Sequence, residues 1–149
     1  MEETPFTKEG RPARKAKGTT AELRVAVELL DHGFSVSWPV GDMDSYDLIA
    51  DCQNRLTRIQ VKSLTNPNRA GTYKVSFRRG HGHTKKYTEA DVDYFVAVLN
   101  YKSGAAFYVI PVSDVPSTAI FFPPNEHPRY PRRKTCKMEK WRGRWDLLR

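Results

Sequence analysis

The sequence predicts an α/β or α+β domain built on a mainly antiparallel or mixed sheet, and the order of its periodic segments is what predicts it. Apolar residues recur at helical spacing near the N-terminus. The middle of the chain then carries a series of short runs with strand character, separated by turn residues, and the last fifteen residues return to a helical pattern. No internal repeat is visible.

The elements follow in order. Residues 1–18 are polar and basic and read as a flexible arm. A helix is expected over residues 20–31, where Leu23, Ala26, Val27 and Leu30 occupy the i, i+3, i+4 and i+7 positions of one buried stripe and Gly33 supplies the left-handed stop. Residues 34–38 read as a short strand and 39–44 as a loop. Two further strands follow, 46–51 and 56–63, which a turn centred on Asn54 would pair as a hairpin. In the second of these, Thr57, Ile59 and Val61 point one way and Leu56, Arg58, Gln60 and Lys62 the other. Residues 65–71 are turn chemistry, a strand runs from Thr72 or Tyr73 to Phe77, and a basic glycine-containing loop covers 78–86. Residues 88–92 make one helical turn, and 94–99 with 105–111 form a hairpin across Lys102-Ser103-Gly104. A short helical turn is expected at 113–115, irregular chain at 116–131, and a helix over 134–148 with Trp141, Trp145 and Leu148 on one side.

Composition sets the outer limits. A chain of 149 residues is expected to form a single domain over 1–149 that buries roughly two-thirds of its unfolded surface. It has no apolar run of bilayer length and no apolar segment in its first residues, so no membrane association and a cytoplasmic setting are expected. Cys52 and Cys136 fit free thiols in a reducing compartment. The formal net charge of +8 favours a polyanionic partner, with nucleic acid the leading candidate. The excess concentrates in residues 11–17, 78–86 and 129–144.

Asp47, Gln60 and Lys62 carry the chemistry. Each is a polar residue in or beside a strand that ought to be apolar, and the hairpin would bring all three to one face. Gln60 and Lys62 would be anchored roughly 7 Å apart, within reach of one phosphate. Phosphodiester hydrolysis needs an activated water and a counter-charge for the phosphate, and a hard cation supplies both when a protein offers oxygen ligands. Asp47 is the anionic ligand, the Gln60 side-chain oxygen and the Val61 carbonyl are neutral ones, and Lys62 is a point charge at the phosphate. Glu22, on the preceding helix, would accept hydrogen bonds from metal-bound water or hold a second cation. Bland alternatives stand beside these roles. Thr19-x-x-Glu22 is a capping box in which Glu22 only satisfies a helix start, Asp47 can be a turn residue, and Lys62, with Arg58 and Gln60 on its face, can be an edge-strand charge. Alternate His81 and His83 invite a metal, yet no third ligand stands at suitable spacing. Together with Arg78, Arg79, Lys85 and Lys86 they read better as a DNA-contacting loop. Trp38, Trp141 and Trp145 are expected in the core or a lid.

Three segments, Gly18-Thr19-Thr20-Ala21-Glu22, Ser45-Tyr46-Asp47-Leu48 and Gln60-Val61-Lys62, resemble in order the PD-(D/E)XK nuclease superfamily, with its helix acid, first-strand Asp and paired acid-X-Lys. The sequence departs from that signature where Tyr46 replaces proline and Gln60 replaces the second acid. The Gln form is similar to the intron-encoded homing endonucleases of the superfamily. Asp91-Val92-Asp93-Tyr94-Phe95 and Phe107-Tyr108-Val109-Ile110-Pro111 are similar to that branch too, and Trp145-Asp146-Leu147-Leu148 is a weaker echo. The likeness covers residues 18–112. It implies a restriction-endonuclease-like core with a mixed central sheet flanked by helices, and catalytic roles for Glu22, Asp47, Gln60 and Lys62. It further implies a Mg2+- or Mn2+-dependent endonuclease of double-stranded DNA, acting as a homodimer or higher oligomer. A Holliday-junction resolvase, a restriction-like nuclease and a non-catalytic DNA-binding module on the same fold are the alternatives.

Overall fold

The computed structural model describes residues 10–41, 43–69, 71–80, 85–101, 103–121 and 137–149. Helix α1 runs over Gly10–Asp31, ten residues earlier than periodicity suggested, so the second half of the expected flexible arm is helical. It ends as expected. Gly33 takes φ 84°, its N–H bonds the Leu30 carbonyl at 2.9 Å, and the Phe34 N–H bonds that of Leu29 at 3.0 Å, the paired reverse bonds that close a helix on a left-handed residue.

The buried stripe of α1 is not the expected one. Ala21, Val25, Ala26 and Leu29 are buried, whereas Leu23, Val27 and Leu30 are each more than half exposed. The helix is apolar on two faces, because residues two apart point roughly 200° from each other. Periodicity fits both, and the sheet takes the face on which Ala21 permits close approach.

Among the described residues nine strands follow: β1 Ser35–Ser37, β2 Leu48–Cys52, β3 Arg55–Leu64, β4 Tyr73–Ser76, β5 Arg78–Arg79, β6 Lys85–Lys86, β7 Tyr94–Tyr101, β8 Gly104–Pro111 and β9 Thr118–Phe121. The central sheet has the order β1-β2-β3-β7-β8. It is antiparallel except where β3 and β7 run parallel, so it is a mixed sheet. The β2–β3 hairpin turns on Gln53 and Asn54, at φ 51° and 67°, the two left-handed residues that match the twist of a tight hairpin.

Alternation in β3 divides two cores. Ile59 and Val61 join Leu48, Ala50, Val96, Val98 and Val109 beneath Ala21, Val25 and Leu29 of α1. On the opposite face Phe95, Ala97 and Leu99 pack against Tyr73, Val75, Phe77, Tyr87 and Phe121, which the β4–β9 and β5–β6 ribbons bring over the sheet. Gln60 lies opposite Phe95 and Lys62 opposite Ala97, so both polar side chains belong to this second face.

Two other expectations change. Residues 118–121, expected to be irregular, form β9 and pair antiparallel with β4 from Tyr73↔Phe121 to Ser76↔Thr118; residues 122–131 lie outside the described residues. Of the expected C-terminal helix, residues 134–136 lie outside the described residues, and the rest holds two 3-10 turns, Glu139–Trp141 and Trp145–Leu148. They are separated where Gly143 takes φ 64° and gives its N–H to the Phe107 carbonyl at 2.8 Å. The three residues therefore part company. Trp145 and Leu148 are buried under α1, while Trp141 packs at the edge of the second core.

Candidate active site

Asp47 sits one residue before β2 and faces Gln60 across the hairpin. Its N–H bonds the Ile59 carbonyl at 2.8 Å, which fixes the backbone. Its Oδ2 accepts the Val61 N–H at 2.7 Å and the Gln60 Nε2 at 2.6 Å. The same Gln60 Nε2 lies 3.5 Å from the Val61 carbonyl oxygen. Two of the three oxygens proposed as ligands thus converge on one amide donor. Rotating that amide about its last torsion replaces Nε2 by Oε1 with little change of shape, and the set becomes a carboxylate, an amide oxygen and a backbone carbonyl. All three are hard donors of the type Mg2+ or Mn2+ takes, so the donor chemistry fits a divalent ion. Among the described residues, no group of three or more His, Cys, Asp or Glu side chains stands ready to hold one.

Lys62, two residues along the same face, is half-buried. Burial lowers the pKa of its ammonium and the Asp47 charge works against that fall. Its Nζ lies 5.7 Å from the centre of the Tyr87 ring. Burial also raises the pKa of the Tyr87 hydroxyl, helped by Asp47. The sequence held a faint signal for Tyr87, an aromatic residue directly after Lys85-Lys86.

Glu22 reaches the site from α1. The helix begins at Gly10, so Thr19 and Glu22 lie inside it and the capping-box reading fails. Glu22 and Asp47 line one open cavity of ≈ 570 Å³ together with Lys15, Thr19, Trp38 and Asp44. Gln60 and Lys62 do not line it. Trp38 is 47 % exposed and forms cavity wall rather than core.

Arg58 shares the face of Gln60 and Lys62 but is committed elsewhere. Its Nε and Nη2 bond the two Asp93 oxygens at 3.2 and 3.0 Å, its backbone N–H bonds Asp93 at 2.7 Å, and its guanidinium caps the Ala90 and Glu89 carbonyls at 2.7 Å each. Burial works against the Asp93 carboxylate; the Arg58 hydrogen bonds and charge outweigh it, and the pKa is lowered. Arg58 is the fastener between β3 and the turn before β7.

The basic loop is a short ribbon in which Arg78 stands opposite Lys86 and Arg79 opposite Lys85. Like charges directly across a ladder repel. Arg78, Lys85 and Lys86 are exposed, whereas Arg79 is tied down at the surface, donating to Ser45 Oγ at 2.6 Å and pairing with Asp91 at 3.0 Å. It braces the loop that carries Asp47. His81 and His83 lie outside the described residues, as do residues 129–134.

Known proteins supply independent findings. The family model described as PD-(D/E)XK endonuclease matches residues 13–142. Among solved structures, the bacterial homing endonuclease I-Ssp6803I is similar with TM-score 0.75 and 28% identity, covering 90% of this chain and 91% of that one. Hjc of Archaeoglobus fulgidus, a Holliday junction resolvase, matches with TM-score 0.43 and 19% identity over 71% of this chain and 84% of its own. No curated protein matches the chain significantly.

Proposed function

From the match over most of its length, the chain belongs to the PD-(D/E)XK endonuclease family, and on that premise we propose that it is a divalent-metal-dependent endonuclease of double-stranded DNA, of the homing type. The observation that carries the reading is that the Asp47 carboxylate and the Val61 carbonyl both lie within hydrogen-bonding distance of the Gln60 side-chain amide. These three would hold Mg2+ or Mn2+, which when bound polarises a phosphate and acidifies a coordinated water. Lys62 brings a cation to the non-bridging phosphate oxygens as charge builds there. Glu22, which lines the same cavity as Asp47, accepts hydrogen bonds from the incoming water. The exposed cations of the β5–β6 ribbon would bind phosphates. A ribbon that accepts like-charge pairing in its own ladder gains from an anionic partner lying along it.

The homing type is supported by the likeness to I-Ssp6803I over nearly the full length of both chains. Cutting both strands with one site per chain calls for two copies, and the Leu23, Val27 and Leu30 stripe on α1 gives a homodimer or higher oligomer an apolar surface to bury. A second reading, a DNA-binding module without catalysis, is favoured by one observation: with Gln60 in place of an acid, the ligand set carries one negative charge fewer, which lowers affinity for a divalent ion.

Plasmid cleavage with Mg2+ or Mn2+, with EDTA as control, separates the two. Divalent-dependent nicking or linearisation that disappears in Asp47→Asn is expected. Duplex binding with no cleavage in either metal would leave the module reading standing.

A further inference from the structure

Tyr87 follows β6 directly and is 6 % exposed, so its ring is fixed where the basic ribbon meets the site. Phe95 braces it edge-on, with centroids 5.0 Å apart and planes at 87°. Phe77 holds Phe95 in the same manner at 5.2 Å. Two cations lie over the Tyr87 ring: the Lys62 ammonium at 5.7 Å and the Arg79 guanidinium at 5.9 Å. Both distances are within the reach at which a ring's negative face attracts a cation. Arg79 is itself held by Ser45 and Asp91, so its place on the ring is set by the loop leading to Asp47.

A lysine at the end of four rotatable bonds has many positions open to it. A half-buried ammonium also loses hydration that something must replace. We propose that Tyr87 is a positioning residue whose ring face seats the Lys62 ammonium at the phosphate, and that Arg79 on the same ring joins the basic ribbon to the site. This rests on Lys62 acting at the phosphate. It adds a dependence on the electron density of one aromatic ring, which a ring that only filled space would lack.

The test replaces Tyr87 by phenylalanine and then by mono-, di- and trifluorinated phenylalanine, which keep the ring's size while draining its negative face. Two quantities are read: the single-turnover cleavage rate at saturating duplex, and the ring-current shift of the Lys62 ε-methylene followed by NMR of 13C-labelled lysine. The expected result is a stepwise loss of rate reaching about tenfold across the series relative to Tyr87→Phe, with DNA affinity unchanged. A ring whose face seats the ammonium shifts the neighbouring ε-methylene upfield, and Tyr87→Leu should abolish that shift. Rates that stay flat through the series, or an ε-methylene shift unchanged in Tyr87→Leu, would overturn the proposal. Lys62→Ala tells the two failures apart. If that variant cleaves at the parental rate, the role given to Lys62 is wrong; if it is inactive while the series is flat, only the role of Tyr87 is wrong. The shift needs no cleavage and decides the contact in either case.

Discussion

Gln60 stands where an acid would give a cation a second negative ligand, and its neighbours show what a neutral amide does there instead. Its Nε2 donates to Asp47 Oδ2 at 2.6 Å and lies 3.5 Å from the Val61 carbonyl oxygen, tying the carboxylate to the strand that carries Lys62. Gln60→Glu should therefore retain metal-dependent cleavage, since it keeps an oxygen at the same reach, whereas Gln60→Leu should lower the rate at least about a hundredfold, the scale of removing one group that stabilises transition-state charge. Equal rates for the two variants would exclude Gln60 from the ligand set. Arg58, by contrast, is expected to matter to stability alone. The folded pKa of Asp93 is lowered, so the Arg58 pairing stabilises the fold above the carboxylate's unfolded pKa, and that contribution is lost as pH falls through the folded pKa. Both side chains are about one-third exposed, which discounts the pair, and Arg58→Ala should cost about 1–2 kcal/mol near neutral pH. Urea unfolding at pH 7 and pH 3 checks it: the gap between parent and variant should narrow at the lower pH.

Among the elements, the β5–β6 ribbon separates its four cations into two kinds. Arg78, Lys85 and Lys86 face solvent, and Arg79 is bonded to Ser45 and Asp91. Replacing the three exposed residues by alanine should weaken duplex binding and flatten its salt dependence, by about 0.9 in the slope of log affinity against log salt for each phosphate no longer neutralised. Arg79→Ala should leave that slope nearly unchanged while slowing cleavage, because it frees the loop ahead of Asp47. Titrations at several salt concentrations distinguish them, and equal slopes for parent and triple variant would move the DNA-binding surface to another part of the chain. The sequence marked all four as one basic cluster. Their division depends on Ser45 and Asp91, which come alongside only after the loop before β2 and the turn before β7 have packed together.

For the whole molecule, the unused apolar stripe of α1 is the clearest demand for a partner. If copies associate through it, Leu23→Glu with Val27→Lys should shift the sedimentation coefficient from oligomer to monomer without changing the circular dichroism of the fold; a parent already monomeric at assay concentrations would remove the stripe from the interface. Among the described residues no helix is long and apolar enough to cross a membrane, which agrees with the mean polarity of the chain. By itself the sequence determined what is local. Alternation in β3 put Gln60 and Lys62 on one face, the Gln53-Asn54 turn closed the hairpin on Asp47, and Gly33 ended α1, because each follows from the geometry of residues adjacent in the chain. Tertiary structure decided what local pattern leaves degenerate. It chose which of two apolar faces of α1 meets the sheet, drew residues 118–121 into a ladder with β4, ran β7 parallel to β3, broke the C-terminal helix at Gly143, and turned Arg58 and Arg79 to structural work. Each of these depends on a partner distant in sequence, and the same residues would satisfy a different partner equally well until packing brings one of them within reach.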